Sequence, residues 1–393
     1  VDMEVEGVAL DVDVLSELSG VLEKNIESFQ AAIFETAGCT FNLNSPKQLG
    51  EVLFDKLKIV DKPKKTKTGQ YATNEQVLQG LAHKSEIVQQ ILDYREASKL
   101  KSTYVDALPG TIFARTNHVH TTYSQAGAAT GRLASSNPNL QNIPIRTEQG
   151  QQIRKAFVAR GEGFSLLAAD YSQVELRVMA EMSGDAGLRE AFESGHDIHA
   201  ATAAKVYGTE LDEVTADMRR TAKMVNFGIM YGISAFGLSQ RLGIPRKEEA
   251  SIIDQYFIEF EKVKTFMDST IASCRENGFV ETLTGRRRYI RDINSANATT
   301  RSGAERTAIN SPIQGTAADM IKLAMNRIHE ALNAGGFKTR MILQVHDELI
   351  FDLFEEEEAR VRPLVEDAMK NAIPFSIPVE VDMGTGKNWL EAH

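Results

Sequence analysis

The sequence predicts an α+β fold in which an antiparallel sheet brings acidic residues to the ends of its strands and long amphipathic helices account for much of the rest. Three observations carry this expectation. Residues 341–353, MILQVHDELIFDL, place two short apolar runs rich in β-formers on either side of His346-Asp347-Glu348, the pattern of a hairpin with acid at its tip. Upstream, the run Ser165-Leu166-Leu167-Ala168-Ala169 ends in Asp170 and the pattern then turns helical. Val14, Leu15, Leu18, Val21, Leu22, Ile26, Phe29 and Ile33 recur at helical spacing behind Asp13, which predicts a long amphipathic helix with an acidic cap.

A carboxylate at the end of paired strands loses solvation that only a cation or a hydrogen-bond donor restores. An acidic tip between buried strands therefore asks for a partner, and a divalent metal is the obvious one. If the strands of Asp170 and Asp347 are neighbours in one sheet, the two carboxylates can share two ions roughly 3.5–4 Å apart, the arrangement that stabilises both oxygens of an in-line phosphoryl displacement. Taken alone, either residue reads more readily as a turn acid, because Asp is common in turns.

A chain of 393 residues with 42% hydrophobic content can bury a large core and should divide into two or three structural units. The net charge of −10 argues against a uniformly basic nucleic-acid binder, but binding needs only a local positive surface and the cations here are clustered. Cys39 and Cys274 form neither a disulfide framework nor a thiolate metal spacing, so a reducing compartment is expected. No apolar run approaches the roughly 20 residues that span a bilayer, and the start Val1-Asp2-Met3-Glu4 lacks the form of a signal peptide. No membrane partner is expected. A start on Val suggests a fragment or a processed product.

Along the chain, a second long helix is expected over residues 77–104, with a short one starting at Ser45-Pro46. Between them Lys62, Lys64, Lys65 and Lys67 crowd a segment without hydrophobic period, a mobile cationic tip that two long helices could press against a phosphate backbone. Residues 130–144, TGRLASSNPNLQNIP, favour neither helix nor strand, and Arg132 is their one functional candidate, able to donate to phosphates or base edges. Strand-like 156–159, a Gly-Glu-Gly turn and the strand ending at Asp170 are expected in an antiparallel sheet.

In the helix after Asp217, Arg219, Lys223, Phe227 and Tyr231 recur every four residues and drift slowly around one face. Cations come first and aromatics later, the order of phosphates and base in a nucleoside triphosphate. An ordinary amphipathic helix with surface cations would also fit the spacing. His196 and His199 lack a third ligand for a metal site, and His199 is taken instead as a phosphate donor. A helix after Pro245 is expected to turn Ile253, Phe257, Phe260 and Phe266 inward, followed by a hairpin at Thr284-Gly285 with Arg286, Arg287 and Arg288 exposed. From Arg301 a helix should run until Pro312 interrupts it and resume at Ala317, with Asn310 and Gln314 at the break, capping it or reaching into a groove. Glu355 to Glu358 should open a solvated helix.

With these residues laid out, the chain resembles the polymerase portion of the bacterial DNA polymerase I family, family A, along essentially its whole length. DYSQVELR at 170–177 is similar to the family's first catalytic motif, RRTAKMVNFGIMYG at 219–232 to its nucleotide-binding helix, and QVHDEL at 344–349 to its second catalytic motif, with TGRL, PNLQNIP and NSPIQGTAAD in support. Val174 and Ala134 depart from the usual Ile and Ser, and neither change touches the chemistry.

The resemblance implies a right-hand architecture: palm from 1–13, 115–173 and 340–393, an antiparallel-sheet platform, with a helical thumb at 14–114 and helical fingers at 174–339. It implies template-directed addition of deoxynucleotides to a primer 3′ end with two Mg2+ ions, Mn2+ being a substitute. Asp170 and Asp347 would hold the metals with the Tyr171 carbonyl, and Glu348 would lie nearby. Arg219, Lys223 and His199 would hold the triphosphate, Lys223 also serving as proton donor. Phe227, Tyr231 and Gln173 would border the nucleotide, and Glu175 would sit beneath the sugar, where a long carboxylate would crowd a 2′ hydroxyl. Arg132 and Gln314 would probe the minor groove, with Asn310, Arg306, His346, Lys64 and Lys65 also on the DNA. Implied partners are primer-template DNA and deoxynucleoside triphosphates, for a monomer in the bacterial cytoplasm, associated with the nucleoid. The exonuclease-like domain that usually precedes this region is not in the sequence, so no proofreading is expected of it. A single-subunit RNA polymerase shares the two-aspartate logic but not the sugar-facing Glu175, and a silent DNA-binding module would not need both aspartates together with the Lys223 face.

Overall fold

The computed structural model describes residues 1–145, 147–232 and 246–393. Its centre is a four-stranded antiparallel sheet. In chain order the strands are β1 (Phe164–Tyr171), β2 (Arg340–Val345), β3 (Glu348–Phe354) and β4 (Val381–Gly386), and the spatial order is β2-β3-β1-β4. Strand alternation sends successive side chains to opposite faces. Leu167 and Ala169 of β1 with Leu349, Phe351 and Leu353 of β3 join one apolar cluster, while Leu166, Ala168 and Ile350 join another with Ile342, Leu343 and Val345 of β2. Both faces are covered, which is why these strands read as continuous apolar runs. Within β3 the buried charged residues are Glu348 at its start and Asp352, which is 1% exposed and pairs with Arg160 at 2.9 Å.

The expected antiparallel partnership between the strand at 156–159 and the strand ending at Asp170 is not formed. Phe157–Val158 pairs with Val8–Leu10 in a second sheet, ordered Ile112–Phe113, His118–Val119, Val8–Leu10, Phe157–Val158. The intervening turn redirects the chain to a new sheet, because each strand buries its apolar side against a different neighbour.

The helices that position the site are α1 (Val12–Ala37), α2 (Glu86–Leu100), α3 (Val174–Ser183), α4 (Ile198–Tyr207), α5 (Ala216–Met230), α6 (Arg246–Glu259), α7 (Glu261–Asn277), α8 (Ala298–Ala334), α9 (Glu358–Lys370) and α10 (Trp389–Ala392). Asp11, not Asp13, caps α1, accepting from the amides of Asp13 and Val14. The helix expected over 77–104 is broken: Glu75–Gln79 ends at Gly80, Ala82–Lys84 makes a tight turn, and α2 begins after Ser85. Gly80 and Ser85 are weak helix formers, and their cost wins where little packing opposes it. Ser45 caps Pro46–Gly50 as expected. Together α1 and α2 enclose a core of their own, built on Ile33, Leu49, Leu53, Leu78 and Ile91, and Lys64 and Lys65 lie exposed on this unit.

Pro312 does not interrupt its helix. Helix α8 runs unbroken through it for 37 residues, roughly 55 Å at 1.5 Å per residue. Interior proline costs about 3 kcal/mol, but Ile309, Ile313, Ala317, Met320, Ile321 and Ala324 are all buried, so packing on both sides of the proline holds the helix together. The consequence concerns spacing. Arg306, Asn310 and Gln314 lie four residues apart on one continuous helical face, not at a break. Two smaller expectations also change. Glu357 is not simply solvated, since it accepts from the amides of Lys338 and Thr339 at 2.8 and 2.9 Å, and Arg288 is half-buried, donating to Ser311 Oγ at 2.9 Å. Among the described residues no helix is long and apolar enough to cross a membrane.

Candidate active site

The β2–β3 hairpin closes through His346 and Asp347, with Val345 paired to Glu348 and His346 in the left-handed region at φ 56°. Acid therefore sits at the tip, as the sequence suggests. On the other side of β3, β1 pairs in a register that sets Glu348 directly opposite Asp170, and the Tyr171 amide donates to the Asp347 carbonyl at 3.2 Å. The two aspartates are thus brought to the same end of one sheet. A fourth carboxylate, Asp382 of β4, stands across from Asp170 on the opposite side.

This concentration of acid shows in its protonation. Burial, then the charges of Glu348 and Asp347, push the Asp170 carboxyl up to about 7. Burial also raises Asp347, with Arg132 opposing. Carboxylates held in a state that disfavours their charge are what a divalent cation corrects. Among the described residues no three His, Cys, Asp or Glu side chains converge into a ready-made cage. The donor set suits a small hard cation held by one or two carboxylates and completed by substrate oxygens and water.

The turn after Asp170 is locked from behind. Arg177, 3% exposed, donates from Nε to the Ser172 carbonyl at 2.9 Å and from Nη2 to Glu380 at 2.7 Å, and from Nη1 to the Pro378 carbonyl. Gln173 takes a left-handed φ of 53° as the cap of α3, which turns the chain from strand to helix and brings Glu175 back over the site. Glu175 is 7% exposed, accepts from Arg132 Nη2 at 2.7 Å and from the Tyr231 hydroxyl at 2.9 Å, and burial holds its carboxyl above the usual range. The same Arg132 nitrogen lies 3.6 Å from Asp347 Oδ1. Arg132, expected on the minor groove, is here the cation that joins Glu175 to the acidic cluster.

Helix α5 is capped by Thr215 and presents Arg219 and Lys223 to solvent. Arg219 is paired with Asp197 at 2.7 Å, and the Phe227 and Tyr231 rings lie stacked, 6.3 Å apart. Tyr231 falls just past the helix, as its cap. His199 differs from its expectation as an accessible phosphate donor. It is 0% exposed, with Nδ1 3.1 Å from Asn226 Nδ2 and its ring 5.7 Å from Phe227. Burial pulls it down to about 4, so it is neutral, and Nε2 has no hydrogen-bond partner among the described residues. The physical reason is that α4 turns this side chain inward against α5. Lys64 and Lys65 share no hydrogen bond or ion pair with the acidic cluster among the described residues; the Lys65 ammonium lies 5.0 Å from the Tyr71 ring.

Sequence reasoning missed the groups around Glu348. Trp389 Nε1 donates to Glu348 Oε1 at 3.2 Å, His393 Nδ1 lies 3.0 Å from the same oxygen, and Arg154 Nη1 lies 3.7 Å from Oε2. No local pattern could have found them, because the contacts join residues 41 and 45 positions apart and, for Arg154 and Glu348, 194 positions apart (348 − 154).

The sequence profile of DNA polymerase family A matches residues 12–391. The chain is 50% identical to the thermostable DNA polymerase I of Thermus filiformis over 390 residues, 99% of this chain and 46% of that protein. It is 49% identical to DNA polymerase I of Pseudomonas aeruginosa over 392 residues, 100% of this chain and 43% of that protein. The chain thus spans less than half the length of these curated relatives. Among solved structures it resembles the POL domain of Pol1 from M. smegmatis in complex with DNA primer-template and dNTP, with a TM-score of 0.94 and 44% identity, covering 100% of this chain and 69% of that one.

Proposed function

Because the chain belongs to DNA polymerase family A, we propose that it is a template-directed DNA polymerase, adding deoxynucleotides to a primer 3′ end. The observation that carries this is the meeting of Asp170 and Asp347 at one sheet end, with burial holding both carboxyls above their usual range. The M. smegmatis relative, solved with primer-template and dNTP, supports the same partners here. The family's need for divalent cations supports Mg2+ at the two aspartates and the Tyr171 carbonyl, with Mn2+ able to substitute. When bound, such ions activate the attacking oxygen and stabilise the leaving one.

The chain's own residues supply the remainder. Arg219 and Lys223 lie exposed on α5, where they can hold the triphosphate, and Lys223 can give a proton to the departing pyrophosphate. Phe227 and Tyr231 offer stacked rings to the new base pair, Gln173 borders the nucleotide, and Glu175 lies beneath its sugar. His199 would need α4 or α5 to shift before it met a phosphate. On the DNA side, Arg306, Asn310 and Gln314 face the duplex from one helical stripe with His346 near the primer end and Lys64 and Lys65 on the backbone further out. Arg132 would reach the minor groove on leaving Glu175. The palm then comprises 1–13, 115–173 and 340–393, the thumb 14–114 and the fingers 174–339, in a monomer of the bacterial cytoplasm associated with the nucleoid.

Single-nucleotide primer extension tests the reading. Asp170→Ala and Asp347→Ala should each lose extension by orders of magnitude while primer-template affinity stays close to the parent's, since affinity comes mostly from phosphate contacts elsewhere. Near-normal extension by either variant sinks the assignment.

A further inference from the structure

Glu348 faces Asp170 directly across the β1–β3 ladder. Directly opposed residues of an antiparallel pair lie on one face, with Cβ atoms about 4.5–5.5 Å apart, so a free Glu348 could reach any ion that Asp170 holds. It is not free. The residue is 4% exposed, its Oε1 is engaged by Trp389 Nε1 at 3.2 Å and His393 Nδ1 at 3.0 Å, and its Oε2 faces Arg154 Nη1 at 3.7 Å. The engaging groups hold one another. The Arg154 guanidinium stacks over the Trp389 ring at 3.9 Å, and Phe157 meets that ring edge-on at 5.4 Å.

Arg154 is 3% exposed, and its Nε and Nη1 have no hydrogen-bond partner among the described residues. A buried guanidinium with so few acceptors is costly unless a charge or a ring face compensates it. Glu348 and Trp389 supply both. The arrangement is therefore over-determined around a single carboxylate, in a cluster where the two aspartates engage no comparable set of donors.

We propose that Arg154, Trp389 and His393 form a cradle that holds Glu348 away from the ions, making these three the positioning residues that leave Asp170 and Asp347 as the carboxylate ligands. This rests on the polymerase reading. A third carboxylate free to swing onto an ion would compete with the substrate oxygens that must complete its coordination. Binding of the ion would tighten while turnover slowed.

Mn2+ is the probe, with its free concentration read by electron paramagnetic resonance as it is titrated into the full chain. Trp389→Phe removes one donor and keeps the ring, and His393→Ala removes the other. Each should bind Mn2+ more tightly than the parent, by on the order of tenfold, the size usual for groups one step removed from an ion. Extension at saturating Mg2+ should slow while primer-template affinity holds. Adding Glu348→Gln to either variant should abolish the gain, which a merely structural role would not do. Mn2+ affinity that is unchanged or weakened, or a gain that persists with Glu348→Gln, overturns the proposal. Should Trp389→Phe not fold, His393→Ala carries the test alone. A parent that binds Mn2+ but extends no primer counts against the polymerase reading and leaves the cradle measurable.

Discussion

Glu175 sits between two partners that pull it in different directions. Arg132 holds one carboxylate oxygen at 2.7 Å and the Tyr231 hydroxyl holds the other at 2.9 Å, so the side chain is fixed at the point where α3 leaves Asp170. A fixed carboxylate makes a better obstacle than a mobile one. If it lies beneath the sugar, Glu175→Ala should incorporate ribonucleotides far better relative to deoxynucleotides than the parent does, because removing an obstruction admits the competitor without any new attraction. Single-nucleotide kinetics with matched ribo- and deoxynucleotides check this, and an unchanged ratio in a folded, active variant rules the obstacle out. Arg132→Ala is the companion experiment. It leaves Glu175 buried without its cation, so the variant should lose about 1–3 kcal/mol of stability as well as activity, whereas a purely groove-reading Arg132 would cost activity alone. Urea unfolding of the DNA-free protein separates the two.

At the scale of elements, α8 shows packing overriding propensity. The helix passes Pro312 because its buried stripe is shared between two clusters, Ala304 and Ala308 with Cys274 and Val280 at one end, and Ile313 to Leu332 at the other. Close contact at its middle has a measurable corollary. A Cβ on Gly315 would come 2.5 Å from Thr282 Cγ2, and Thr282 cannot easily yield, being 9% exposed and bound to Asp319 at 2.8 Å. Gly315→Ala should therefore destabilise the protein by about 1–3 kcal/mol despite alanine's better helix propensity. A lower urea midpoint with unchanged slope is the expected result, and a stabilised variant would mean that the hairpin carrying Thr282 moves aside freely. The broken helix before α2 is the converse case, where Gly80 and Ser85 prevail because less is buried across them.

For the whole molecule, the acidic end of the sheet makes stability depend on pH. Asp170 is raised from 3.8 to about 7, so the folded state binds its proton more tightly than the unfolded chain does. That contribution is fully present below about 4 and is lost as pH rises through about 7, with a slope of up to ~1.4 kcal/mol per pH unit in between. Asp347 and Glu175 are displaced in the same direction. With divalent ions chelated, Asp170→Asn should be more stable than the parent at pH 8, and the difference should shrink toward pH 5. Equal stability at both values would show that the carboxyl is not so displaced. Much of this architecture was legible beforehand: the hairpin with acid at its tip, the strand delivering Asp170, and the helix carrying Arg219, Lys223 and Phe227 all follow from side-chain periodicity, which is a property of adjacent residues, although Tyr231 falls just past that helix. Tertiary structure alone decided which strands pair, that Phe157–Val158 leaves for another sheet, that His199 is buried, that α8 survives its proline, and that Arg154, Trp389 and His393 gather on Glu348. These depend on what a segment is buried against, often a partner more than a hundred residues away, and no local spacing encodes that partner.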